Sequence, residues 1–183
     1  LENIHELNEL LKNVYLLTAE SRDMIRAFLE SQQPGFKIGM LFSKNKTEAE
    51  REARERRLMD ELEERTKTQL EWHMRELASK HVKKAGILTS QLETEAQKLS
   101  VSFTVNEIRG LVSRQSNLSG DYLLLFSEKV ADLIKKKAKE TMIRFYEGLK
   151  EEMDRLLKGK SASIQAKADQ WTRYDEAMSI IES

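Results

Sequence analysis

Three groupings of residues have types and spacings that could do chemistry. Gly159-Lys160-Ser161 has the ending of a phosphate-binding loop, in which backbone N–H groups cradle the phosphates and the lysine reaches the terminal one. The glycine that should stand five positions earlier is Asp154, whose carboxylate would repel the anion, and the residues before it read as helix rather than strand. His73, Leu77 and His81 fall on one side of a helix. However, eight residues separate the imidazoles by about 12 Å of rise, too far to share one metal ion. Glu61-Leu62-Glu63-Glu64 could pose as paired carboxylates, yet Arg65 stands four residues after Glu61, the pattern of a solvated helix face. No nucleophile and base can be paired. The expectation is therefore no catalytic residue, no metal ligand and no cofactor in this segment.

A different chemistry is legible in Tyr122-Leu123-Leu124-Leu125-Phe126, followed by Lys129, Lys135, Lys136 and Lys137. Five consecutive apolar residues circle a helix, so they cannot all face one core stripe. One outcome is a helix start covered by the neighbouring 104–115 segment. The other is a membrane-inserting tip with a cationic collar, its partner an anionic phospholipid surface. Phe36, Ile38, Met40, Leu41 and Phe42 form a second apolar patch, an alternative lipid contact or a connector folded onto the bundle.

The elements that must position these residues are helices. Of 183 residues, 34% are charged and 7% aromatic, with one Pro and seven Gly, a balance that favours solvated helices around narrow seams. Lys and Arg total 31, as do Asp and Glu, leaving no net field to steer the chain to nucleic acid. There is no Cys, which excludes disulfides and thiolate sites and fits a reducing compartment. No apolar run approaches the roughly 20 residues that span a bilayer, and no signal-peptide pattern opens the chain. The chain reads as a piece of something longer.

Helical spacing of Ile4, Leu7, Leu11, Val14, Leu17, Met24 and Phe28 predicts a helix over 1–33, stopped by Pro34-Gly35. A connector follows over 34–46. Thr47 and Glu50 form a capping-box pattern at the head of a long helix over 47–100, with Leu58, Leu62, Leu70, His73, Leu77 and Val82 as its seam and Gly86 a kink or stop. Residues 101–126 make an irregular tip in which Thr104 and Glu107 form a second capping box. Val130, Ile134, Ala138, Met142, Phe145, Leu149, Met153 and Leu156 give a returning helix over 127–159, with Gly159 as its C-cap. A last amphipathic helix covers 160–183. The expected fold is all-α, an elongated antiparallel helical bundle or stalk with an irregular tip.

Phe42-Ser43-Lys44-Asn45-Lys46-Thr47-Glu48, Lys67-Thr68-Gln69-Leu70-Glu71-Trp72-His73, and Ser119 to Ser127 with the Val130–Lys137 stretch resemble bacterial dynamin-like GTPases. The likeness is to the helical part that follows the GTPase domain, in bacilli-type tandem dynamins, and spans about 34–160. It implies neck, trunk and a lipid-binding paddle near 101–126, self-association, and a parent protein that tethers, remodels or fuses membranes. It also implies a cytoplasmic place, peripheral on the inner face of the cell membrane. Every GTPase motif is missing here, so GTP would belong to the parent. The rival reading is a coiled-coil interaction scaffold that binds no lipid.

Overall fold

The structure, a computed structural model, describes residues 2–14, 16–38, 44–84, 90–113 and 118–181, with side chains between positions 5 and 173. Its elements are α1 (Glu2–Lys12), α2 (Ala19–Ser31), α3 (Lys44–Thr66), a π-helical turn (Lys67–Glu71), α4 (Trp72–Lys84), α5 (Ser90–Gln97), α6 (Val105–Gly110) and α7 (Gly120–Ile181). The fold is an all-α helical bundle, with no strand among the described residues. Leu1–Ile143 and Arg144–Ser183 form two separate compact units.

The helix expected over 1–33 is two helices. Asn13 ends the first by turning its amide back to the Glu9 carbonyl (3.1 Å), and Thr18 caps the second, its hydroxyl accepting from the Ser21 N–H (3.4 Å). The break changes the register, so Leu16 is buried where a continuous stripe would bury Leu17. Thr47 does not head α3, which begins at Lys44; its hydroxyl instead accepts from the Ile38 N–H (3.3 Å).

Leu58, Leu62, Thr66, Leu70, Met74, Ala78 and Val82 are buried at every fourth residue through α3, the π turn and α4. Six such steps on a pure α-helix would carry the stripe about 240° round the axis, and the extra residue of one π turn takes back about 100°. That inserted residue explains why the seam passes through Met74 and Ala78 rather than His73 and Leu77. His73 is exposed and packs edge-on against Trp72 (4.8 Å). Gly86 lies outside the described residues.

The second capping box forms as the spacing predicts: Thr104 Oγ1 accepts from the Glu107 N–H (3.3 Å), and Glu107 accepts from the Thr104 N–H (2.8 Å). The helix it opens stops at Gly110, shorter than expected. On α7, Tyr122, Phe126, Val130, Ile134, Ala138 and Met142 are all buried, again at every fourth residue. Gly159 sits inside α7 and caps nothing.

Candidate functional site

The apolar run at 122–126 begins α7. Ser119 caps that helix, its carbonyl accepting from the Leu123 N–H (3.1 Å) and its hydroxyl from the Tyr122 N–H (3.2 Å). With the helix start fixed, the five side chains part company. Tyr122 turns inward, its phenol accepting from the Ser113 N–H (2.8 Å) and donating to the Ser113 carbonyl (3.1 Å). Leu123 is buried, and Phe126 stacks obliquely on Phe28 of α2, ring centroids 6.0 Å apart. Leu124 and Leu125 point out, 52% and 47% exposed.

Beside Leu124 a cleft of about 490 Å³ runs between α2 and the start of α7, lined by Ala19, Arg22, Asp23, Arg26, Leu123 and Ser127. Arg22 and Arg26 stand one helical turn apart, exposed, and their guanidinium groups have no hydrogen bond or ion pair among the described residues. Sequence reasoning missed these two arginines, because nothing in the spacing of either segment brings α2 against the head of α7. The Phe28–Phe126 contact does so.

The lysines are divided as well. Lys137 is committed to the fold: its ammonium lies 2.6 Å from Glu107 of α6 and donates to the Ser102 carbonyl (2.9 Å). That lysine, and then the Thr104 backbone N–H, hold the Glu107 carboxyl below its ordinary range. Lys129 and Lys135 are half-buried and Lys136 is exposed. Asp121, Glu128 and Asp132 share the outer face of α7 with them, so the surface round the two leucines carries both signs.

In the alternative patch, Phe36 lies under two guanidinium groups, those of Arg54 (4.9 Å) and Arg51 (5.8 Å). Ile38 is half-buried, while Met40, Leu41 and Phe42 lie outside the described residues. The other sequence candidates find ordinary surroundings. His81 is buried, with Nε2 2.9 Å from Glu6 of α1, and Lys80 holds the same carboxylate at 2.9 Å. Gly159-Lys160-Ser161 is helical, so its backbone N–H groups are spent on helix bonds rather than offered to a phosphate. Among the described residues no cluster of His, Asp or Glu could hold a metal ion, and no helix is long and apolar enough to cross a membrane.

The elements around this surface are tied by ions. Arg109 of α6 clasps Glu55 of α3 through two bonds (2.7 and 2.5 Å), and Gln32 of α2 adds a third (3.0 Å). That carboxylate raises the Arg109 guanidinium above its ordinary value. Glu71 in the π turn is buried with Arg75 at 3.0 Å and the Val101 N–H at 2.7 Å.

No protein-family model matches the chain, and no solved structure matches it. Over 134 residues it is 35% identical to Dynamin-like protein A of Bacillus subtilis (strain 168), a match covering 73% of this chain and 11% of that protein.

Proposed function

The chain is a relative of a bacterial dynamin-like protein, similar to a small part of its length, and from that premise we propose that it is a non-catalytic helical segment that touches the surface of a phospholipid membrane. The observation that carries this reading is the outward-facing pair Leu124 and Leu125 beside the Arg22–Arg26 cleft. The leucines supply an insertion term, and the arginines supply donors for lipid phosphates. Lys129, Lys135 and Lys136 extend the cationic surface along α7.

The magnitudes make this contact reversible. Full burial of a leucine is worth roughly 1.5–3 kcal/mol, and each of these is already about half covered, so the pair contributes about 1.5–3 kcal/mol. Asp23, Asp121, Glu128 and Asp132 offset much of the attraction of the basic residues for an anionic leaflet. Firm attachment then requires many copies at one surface. Remodelling or fusion of membranes, and the use of GTP, belong in this reading to the larger protein of which such a segment forms part.

Flotation with vesicles containing phosphatidylglycerol tests the proposal. Leu124→Asp with Leu125→Asp should abolish flotation at every salt concentration, since carboxylates are costly to dehydrate. Arg22→Glu with Arg26→Glu should weaken it most at low salt, because screening already shortens charge attraction to about 8 Å at physiological ionic strength. Variants that retain the parent's circular dichroism yet float like the parent would refute this surface. A parent chain that never floats would favour the protein-interaction scaffold, a reading supported by the exposed apolar face of residues 157–171.

A further inference from the structure

The charged residues of α2 divide between two faces. Glu20 and Glu30 turn toward α3, where Arg65 (3.6 Å) and Arg54 (3.3 Å) meet them. Arg22, Asp23 and Arg26 line the cleft beside α7 instead. Helical spacing sets Arg26 about 40° and Asp23 about 100° round the axis from Arg22, so the three share one face. Asp23 and Arg26 stand three residues apart, a spacing at which opposite charges commonly pair. All three are nevertheless exposed, and none of their side chains has a hydrogen bond or ion pair among the described residues.

A cleft with unspent charges of both signs selects its ligand. Two guanidinium groups one turn apart offer several N–H donors to the oxygens of an anion. The Asp23 carboxylate only accepts, so it requires a donor and favours a cation. A plain anion meets repulsion from Asp23, and a plain cation meets repulsion from the arginines. A group carrying both signs on neighbouring atoms satisfies all three. The cleft, about 490 Å³, falls in the range of small-ligand sites, about 300–1,000 Å³. Leu124, 52% exposed, borders it and gives the ligand an apolar side.

We propose that this cleft seats the headgroup of a phospholipid that carries a primary ammonium, with phosphatidylethanolamine as its simplest form. Arg22 and Arg26 donate to the phosphate oxygens, and Asp23 accepts from the ammonium, two carbons further along the headgroup. Leu124 enters the apolar layer beside it. The assignment rests on the membrane reading and adds a lipid class to it. It also gives Asp23 a use, where a purely anionic partner would make that residue a cost. The quaternary ammonium of a choline headgroup has no N–H to donate, and a glycerol headgroup brings no positive charge. Both therefore leave the carboxylate less well served than ethanolamine does.

Flotation of the whole chain with two vesicle types tests this, phosphatidylglycerol being mixed at one fixed fraction with either phosphatidylethanolamine or phosphatidylcholine. The parent should partition about two- to fivefold more strongly onto the ethanolamine vesicles, the scale of one solvent-exposed charge contact. Asp23→Asn should lower that ratio at least about twofold. The same variant should bind the choline vesicles more tightly than the parent does, because it removes an acid from a surface facing anionic lipid. Ethanolamine lipids also change bilayer packing, but that acts alike on parent and variant, so the change in ratio isolates the contact. Soluble glycerophosphoethanolamine, at the headgroup concentration of the vesicles, should leave flotation unchanged; displacement by it would assign the cleft to a free phosphoester and overturn the lipid. Equal flotation on the two vesicle types, or a ratio indifferent to Asp23→Asn, overturns the headgroup assignment and leaves the membrane surface standing. A parent that floats with neither overturns both. Asp23 is exposed, and unchanged circular dichroism confirms that the variant keeps the fold.

Discussion

Leu1–Ile143 closes over its apolar side chains, whereas the described side chains of Arg144–Ser183 are exposed from Leu157 onward. The two regions differ in the burial of their apolar residues and in the reach of their charges. In the first, buried residues recur at every fourth position on α3, α4 and α7, the row that packs ridge into groove against helices crossing at an angle. Beside ion pairs within single helices, it has ions that join separate elements: Glu55 to Arg109, Glu107 to Lys137, Glu6 to Lys80 and His81. In the second, Phe145, Leu149, Met153 and Leu156 recur at spacings of four and three, with Leu149 buried, and Leu157, Ile164 and Trp171 beyond them are exposed. Glu152 with Arg155, Gln165 with Asp169 and Thr172 with the Ala168 carbonyl make contacts within one turn of the same helix. A seam of period four builds a core within Leu1–Ile143, and the large apolar residues from Leu157 to Trp171 stay exposed.

The largest effect that sharpens this contrast comes from the core. Phe126→Ala removes the ring stacked on Phe28 and should cost about 3–5 kcal/mol by the lost burial and the cavity left behind. Ile164→Ala, of similar apolar character in the sequence, should change the stability of the monomer by no more than about 0.5 kcal/mol. Urea unfolding followed by circular dichroism, at concentrations too low for self-association, measures both. Equal losses would dissolve the distinction between the regions. The same burial explains why Phe126→Asp cannot probe lipid binding: it would unfold the tip before testing its surface.

Much of this architecture is legible in the sequence, and the failures have physical causes. Helical character, the Thr104–Glu107 capping box and the Val130–Met142 seam follow from local patterns whose information lies within a few residues. The break at Asn13–Thr18 was signalled by an amide at one helix end and a Thr-x-x-Ser cap at the next, but continuous apolar spacing hid it. The π turn at Lys67–Glu71 left only an indirect trace, a run of four-residue spacings, and ignoring it misplaces the core by one residue, at His73 for Met74 and Leu77 for Ala78. At the candidate site, the run 122–126 was legible as too wide for one stripe. Which members turn outward was not, because that depends on Phe28 and Ser113 from elsewhere in the chain. Arg22 and Arg26 became visible for the same reason only once α2 was seen against α7.

A smaller effect should come from the clasp between α3 and α6. Glu55 is 7% exposed and Arg109 46%, so the two halves of the pair are not equivalent. Arg109→Ala leaves a buried carboxylate with only Gln32 as donor and should cost about 1–3 kcal/mol. Glu55→Gln leaves Arg109 free to meet water and should cost less. Thermal unfolding of the two variants decides the order. If Glu55→Gln is the more damaging, the pair does not act through burial of the carboxylate.

The smallest expected effect is acid sensitivity confined to the first region. Glu6 is held below its ordinary 4.5 by Lys80 and then His81, and Glu107 by Lys137 and then the Thr104 N–H. A carboxyl whose folded value is depressed binds its proton more readily in the unfolded chain. Its contribution is therefore complete above about 4.5 and is lost as the pH falls through the lower folded value. Both groups are open to water, and solvent screening keeps each contribution small. Protonation should loosen α1 from α4 and α6 from α7, while the helix over residues 157–173, with no carboxylate tied to another element, should respond only through its own end-to-end charge. Carboxyl-carbon NMR titrations should place both midpoints below 4.5. Glu6→Gln and Glu107→Gln should flatten the acid dependence of amide protection in α1 and α6, and Gln at position 107 can still serve the capping box. Midpoints at or above the ordinary value would mean that these ion pairs do not hold in solution, and the contrast would then rest on apolar packing alone.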